Sequence, residues 1–194
     1  MLSPYKEREK LLLEMKKPRA NKHGQYALFP RKSSDHGGVL RRKRKGRGAR
    51  PLAVKSSMHL VLRSTQAKGQ QSFKHKKNEQ KVAQIIQKFA QKYGIRILSL
   101  ANVGNHLHLH LKLATRQSYK SFIRATTGAI ALAVTQTSRL KKLKQKFWDL
   151  RPFTRIVQGF RDRLTLVNYI EINQLEGCGL SRPEARMAML VRSG

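Results

Sequence analysis

The chain has 194 residues, with 42 Lys or Arg against 10 Asp or Glu, a formal charge of +32 at neutral pH. Folding does not require such an excess and self-repulsion opposes it, so it points to a polyanionic partner, nucleic acid first. A membrane partner is disfavoured because no stretch approaches the ~18 apolar residues of a span, and the single cysteine, Cys178, excludes an intrachain disulfide or a cysteine-rich zinc cluster.

Residues 1–55 read as a basic, largely disordered arm. They hold 17 basic and 4 acidic residues, and only Glu7 to Lys17 favours a short helix. Pro18, Pro30, Gly37-Gly38 and the run Arg41-Arg42-Lys43-Arg44-Lys45 favour extended, solvated chain, with Arg42 and Arg44 candidates for tracking a phosphate backbone. The first residues also lack the apolar run and cleavage site of a secretory signal, so a cytoplasmic, nucleoid-associated protein is expected.

A globular domain is expected over residues 56–177, followed by an extension, 178–194. Met58 to Arg63 reads as a first strand. Asn78 is the expected cap of a helix running to about Tyr93, with Val82, Ile85, Ile86 and Phe89 as its apolar stripe and Gly94 ending it. Ile95 to Val103 reads as a second strand, and Gly104-Asn105 turns the chain into a third. Arg116 to about Leu143 reads as a long helix. Arg124, Lys141 and Lys142, on this helix and its exit, are further candidates for contact with DNA. Phe147 to Val157 reads as a fourth strand in which Pro152 implies an edge or a bulge. Trp148 and Phe153 offer surfaces for base stacking, although Trp148 reads more simply as core. Phe160 to Leu175 closes the domain as a helix. The order β-α-β-β-α-β-α predicts an α+β fold: a ferredoxin-like split β-α-β antiparallel sheet with an added C-terminal helix.

Two stretches carry chemistry. In His106-Leu107-His108-Leu109-His110-Leu111 the period of two puts three imidazoles on one face of a strand and the leucines on the other. Such a face suits a divalent metal or a phosphate; the alternative is a structural or anion-binding cluster without catalysis. His59, on the first strand, either supports that cluster from behind or is a satisfied packing histidine. In the last helix, Phe160, Leu164, Val167 and Ile170 predict one packed side. Tyr169 then lies roughly opposite, with Asn173 about 40° away, so a phenol and an amide are presented together.

Two neutral imidazoles and a carbonyl-type oxygen suit Mg²⁺ or Mn²⁺ and leave positions open for phosphate. A tyrosine beside such a cation can act as a covalent nucleophile, which conserves bond energy for rejoining.

Gly104-Asn105-His106-Leu107-His108-Leu109, then Phe147-Trp148 with Phe153 and Arg155, then Asn168-Tyr169-Ile170-Glu171-Ile172-Asn173 resemble the single-tyrosine HUH transposases (IS200-like). Within them, the resemblance is to the REP-associated tyrosine transposases. It covers roughly Ser57 to Gly177. It implies His106 and His108 as metal ligands, Asn173 completing the set, and Tyr169 as nucleophile; His110 and His59 are, from their own positions, candidates to stand behind the ligands. Arg155 joins the DNA-contact candidates. The implied reaction is cleavage and rejoining of single-stranded or hairpin DNA through a 5′-phosphotyrosine, by a monomer or homodimer. Gln174 stands where the family often has proline, and His110 where it has an aliphatic residue.

Two other readings bear on the same residues. A non-catalytic nucleic-acid-binding module would keep the fold and the charge, and its DNA binding would be insensitive to chelator. A two-histidine phosphodiesterase would need separated His-x-Thr/Ser pairs, which neither His106 nor His108 begins.

Overall fold

The computed structural model describes residues 35–40, 49–138 and 145–193. Arg42, Arg44, Lys141 and Lys142, and the helix expected over Glu7 to Lys17, lie outside the described residues. The elements are β1 (Asp35–His36), β2 (Met58–Arg63), a 3₁₀ turn (Gly69–Gln71), α1 (Lys76–Lys92), β3 (Ile95–Asn102), β4 (His106–Leu113), α2 (Arg116–Thr135), β5 (Phe153–Ile156), α3 (Gly159–Gly177) and α4 (Arg182–Ser193).

Among the described residues the strands form one antiparallel sheet in the order β1-β5-β2-β4-β3. Without β1, the spatial order of the long strands is fourth, first, third, second, which is the split β-α-β arrangement expected from the sequence. The register pairs Leu60 with Leu109 and Leu62 with Leu107, so the alternating leucines of both strands share one face. α1 covers that face with Val82, Ile86 and Ala90, and α2 with Phe122, Ile130 and Val134; together they make the main core. The opposite face carries His59, His108 and His110, and a smaller apolar cluster of Ala101, Val157, Leu166 and Ile170 seats α3 there.

Five details differ from the sequence reading. α2 ends at Thr135, where Gln136 takes a left-handed backbone, short of the expected end near Leu143. Asn78 does not cap α1; His75 does, accepting from the Lys77 amide. The Asn78 side chain is buried one turn in and donates to the Gln70 and Ser72 carbonyls, tying the preceding 3₁₀ turn to the helix. The fourth strand is shorter than expected, Phe153–Ile156. Its expected beginning is irregular because Phe147 and Trp148 turn into the core, where Trp148 stacks on Phe73 and its indole N–H donates to the Thr127 carbonyl. The last helix packs on Leu166, Ile170 and Asn173, about a quarter turn from the expected stripe, and leaves Phe160 and Leu164 76% and 50% exposed. Finally, β1 falls within the stretch read as a free arm. It pairs Asp35 with Arg155 and His36 with Thr154, and the Arg50 guanidinium donates to Thr154 Oγ1 at 2.6 Å. The edge of β5 is therefore covered.

Residues 182–193 of the expected extension form α4, which packs on α3. Among the described residues no helix is long and apolar enough to cross a membrane.

Candidate active site

β4 begins immediately after the turn at Gly104, whose φ of +94° is one that side chains rarely adopt. The first side chain past the turn, His106, is fixed by its neighbour: its Nδ1 lies 2.6 Å from Asn105 Oδ1, which leaves Nε2 as the free nitrogen. His108, two residues on, points the same way, with the two ring centroids 4.8 Å apart. Behind it stands His59 of β2, whose Nε2 lies 3.1 Å from His108 Nδ1 in a stacked arrangement. With His108 donating through Nδ1, its Nε2 carries a lone pair, and that atom is buried without a hydrogen-bond partner.

Burial lowers the imidazoles of β2 and β4 from their ordinary value and favours their neutral form. His108 is pushed down to about 3 by burial, then by His106 and His59. His59 is pushed down to about 4 by burial, then by Arg155 and His110. His106 is lowered by burial and by Arg63, with Glu176 opposing. Neutral imidazoles are the form that ligates metals.

α3 brings the other half of the site. Asp162 in its first turn accepts from the Gln158 amide, satisfying a free donor at the helix start, and pairs with Arg155 of β5. On the flank of the buried face, the Tyr169 ring meets His108 edge-on at 5.3 Å between centroids and His59 at 5.9 Å. It remains 36% exposed. Asn173, one turn later, is buried, and its Nδ2 donates to the Tyr169 carbonyl at 2.6 Å. With its nitrogen so committed, the carboxamide has its oxygen left to offer a cation. These rings line a cavity of about 630 Å³, whose other walls include Arg63, Asp149, Phe153 and Arg155.

The donor set fits a divalent cation. His106 and His108 each offer an imidazole nitrogen, and the orphaned His108 Nε2 is a buried polar atom that a cation would satisfy; Asn173, buried one turn after Tyr169, is not among the residues that line the cavity. Among the described residues no group of three or more His, Cys, Asp or Glu is placed to hold a metal ion.

The family model described as "Transposase IS200 like" matches residues 53–173, a span that contains both the histidine strand and the Tyr169–Asn173 turn. The chain belongs to this family of transposases. Two solved structures are similar to it. A REP-associated tyrosine transposase bound to a REP hairpin is 15% identical with a TM-score of 0.49, covering 68% of this chain and 74% of that one. A transposase structure from Deinococcus radiodurans R1 is 21% identical with a TM-score of 0.41, covering 68% of this chain and 97% of that one. No curated protein matches the chain.

In this transposase the remaining candidates divide. His110 is buried and bonded to Ser57 Oγ at 2.8 Å, outside the cavity lining, whereas His59 is the residue that supports His108. Arg155 lines the cavity. Arg124 is exposed on α2, in the layer that covers the leucine face, so it stands across the sheet from the imidazoles. The sequence reading missed Arg63 and Asp149. Arg63 shares the polar phase of β2 with His59 and Val61, and that alternation was the signal for it. Asp149 lies in irregular chain, where no periodicity marks it; its carboxylate accepts from the Thr65 amide and hydroxyl and pairs with Arg63.

Proposed function

We propose that this transposase cuts and rejoins single-stranded DNA, at hairpin ends as in the REP-associated branch, through a 5′-phosphotyrosine on Tyr169. Mg²⁺ or Mn²⁺ would be held by His106, His108 and Asn173. The observation that carries the reading is the edge-on approach of the Tyr169 ring to His108, a residue whose outward nitrogen is buried and unpartnered.

A bound divalent cation withdraws charge from a non-bridging phosphate oxygen and stabilises the departing one. The chain's own residues do the rest. Arg63 and Arg155 on the cavity wall attract the phosphate and hold it against the imidazoles. Tyr169 Oη attacks phosphorus, the new Tyr–O–P bond replaces the P–O3′ bond, and the phenolic proton is balanced by the 3′-hydroxyl released. Attack by another 3′-hydroxyl reverses the exchange and joins a new strand, with no outside energy source required. His59 holds His108 in one tautomer and orientation throughout.

The test incubates the protein with end-labelled hairpin-bearing single-stranded DNA and Mg²⁺ or Mn²⁺, then looks for label that stays with denatured protein. Wild type should form the adduct, chelator should prevent it, and Tyr169→Phe should abolish it with DNA affinity within about twofold. DNA binding with no adduct under any metal would replace this reading with that of a non-catalytic binding module.

A further inference from the structure

The apolar contact beneath α3 is small: Leu166 and Ile170 meet Ala101 and Val157. Apolar packing has no direction, and four side chains of that kind do not fix how far a helix slides or turns. A one-residue change of register would swing Tyr169 by about 100°. Directional contacts must therefore set the register: the Asp162–Arg155 pair does so at the first turn, and a denser set lies at the far end of the helix.

There Asn102, the last residue of β3, touches three elements at once. Its side-chain Nδ2 donates to the Phe73 carbonyl at 3.0 Å and its Oδ1 accepts from the Gly104 amide, bracing the turn that leads into His106. Its backbone N–H donates to Gln174 Oε1 on α3 at 3.1 Å. Its carbonyl abuts Gly177: a Cβ on that glycine would lie 2.5 Å from Asn102 O and 3.3 Å from Val103 Cα. Lys74 closes the arrangement by donating to the Gly177 carbonyl at 2.7 Å. Gln174 is one residue beyond Asn173, so the same short stretch carries both the amide of the site and the anchor to the histidine turn.

We propose that Asn102, Gln174, Gly177 and Lys74 form a positioning latch that registers α3 against the β3–β4 turn. The latch fixes where Tyr169 and Asn173 stand relative to His106 and His108 of the same chain. The catalytic consequence rests on the nucleophile assignment above; the geometric one does not. These are positioning residues, since they act on the site only through α3 and the turn. Gln174 is the specific part: its Oε1 is the side-chain acceptor for the Asn102 amide.

The experiment compares wild type, Gln174→Leu, Gln174→Glu, Gly177→Ala and Lys74→Met in the full chain, with two readouts. In the free protein, imidazole C–H resonances of His59 and His108 report the nearby Tyr169 ring, and Tyr169→Ala gives the ring-absent reference. With labelled single-stranded DNA, single-turnover adduct formation is measured beside DNA affinity. Gln174→Leu and Gly177→Ala should move the histidine resonances toward the reference. They should slow adduct formation by up to about 100-fold, the cost that a displacement of about 1 Å can carry, with affinity within about twofold. Gln174→Glu keeps an acceptor for the Asn102 amide and should restore both readouts. Lys74→Met, the mildest change, should shift the resonances in the same direction. Wild-type resonances in Gln174→Leu and Gly177→Ala would overturn the latch, as would failure of Gln174→Glu to differ from Gln174→Leu. If wild type forms no adduct, the nucleophile assignment fails, and the resonances still decide the latch.

Discussion

His59 Nε2 lies 3.1 Å from His108 Nδ1, with the two rings stacked. The contact joins the central strand β2 to the histidine strand and decides which nitrogen of His108 faces the cavity. Removing it leaves Nδ1 buried without a partner and lets the ring turn. Loss of such outer partners typically costs 10–100-fold in metal affinity, so His59→Ala should weaken Mn²⁺ binding by about that factor in isothermal titration. His59→Gln, which can still accept from Nδ1, should recover part of it. Equal affinity in all three proteins would remove His59 from the site.

The same burial makes stability depend on pH. His108 is held at about 3 and His59 at about 4, both below the ordinary imidazole value. The native protein therefore binds fewer protons than the unfolded chain once pH falls below about 6.5. The contribution is fully present above that pH and is lost progressively as pH falls toward 4 and then 3. The expected slope is about 1.4 kcal/mol per pH unit for each such histidine. Denaturant unfolding between pH 6.5 and 5, above the carboxylate range, should show a falling midpoint. His108→Asn should make the fall shallower, with His59 still contributing; a wild-type midpoint constant over that window would contradict the assigned burial.

The sequence made some of this legible and hid the rest for physical reasons. A period of two is read without tertiary information, so the leucine and imidazole faces of β4 were visible, as was the pairing of a phenol with an amide one turn later. The packed side of α3 was not. Phe160 and Leu164 are apolar, and hydrophobicity alone ranks them above Asn173, yet the helix turns Asn173 inward, where its amide bonds to the Tyr169 carbonyl, and leaves both exposed. Polar burial at a functional site runs against the pattern from which core faces are inferred. The strand expected from Phe147 failed similarly, because β-favouring aromatics serve the core equally well from irregular chain. Asn78 was read as a cap from its type, and its real use, bonding to carbonyls six and eight residues back, depends on a loop geometry that spacing does not reveal.

The position of the arginines separates two kinds of positive charge. Arg63 lies on the cavity wall beside His106 with its side chain 65% exposed, while Arg124 lies across the sheet. A residue that neutralises a phosphate releases counterions, and its loss lowers the slope of log affinity against log salt by about one. Arg63→Gln should show that change with single-stranded DNA, and Arg124→Gln should leave slope and affinity near wild type. The reverse result would move the DNA path to the helical layer.

Trp148 and Phe153 carry the sharpest contrast between packing and recognition. Both are aromatic, close in sequence and suited to stacking on a base. Trp148 lies against Phe73 and Phe147, with its indole N–H bonded to the Thr127 carbonyl. Phe153 meets only His59 edge-on among the ring contacts described, and it lines the cavity. Truncating a fully buried aromatic costs about 3–5 kcal/mol. Trp148 is half-buried against the core, so Trp148→Ala should lower stability by up to about the low end of that range, with the folded fraction binding DNA normally. Phe153 has little to lose in packing and a base to lose in recognition. Phe153→Ala should leave the unfolding midpoint close to wild type and weaken single-stranded DNA binding by about 1–3 kcal/mol, the range for one stacked base. Denaturant unfolding and fluorescence-anisotropy titration on the same two proteins measure both quantities. If Phe153→Ala destabilised the fold without affecting affinity, the cavity wall would be structural, and the bases would have to be gripped elsewhere.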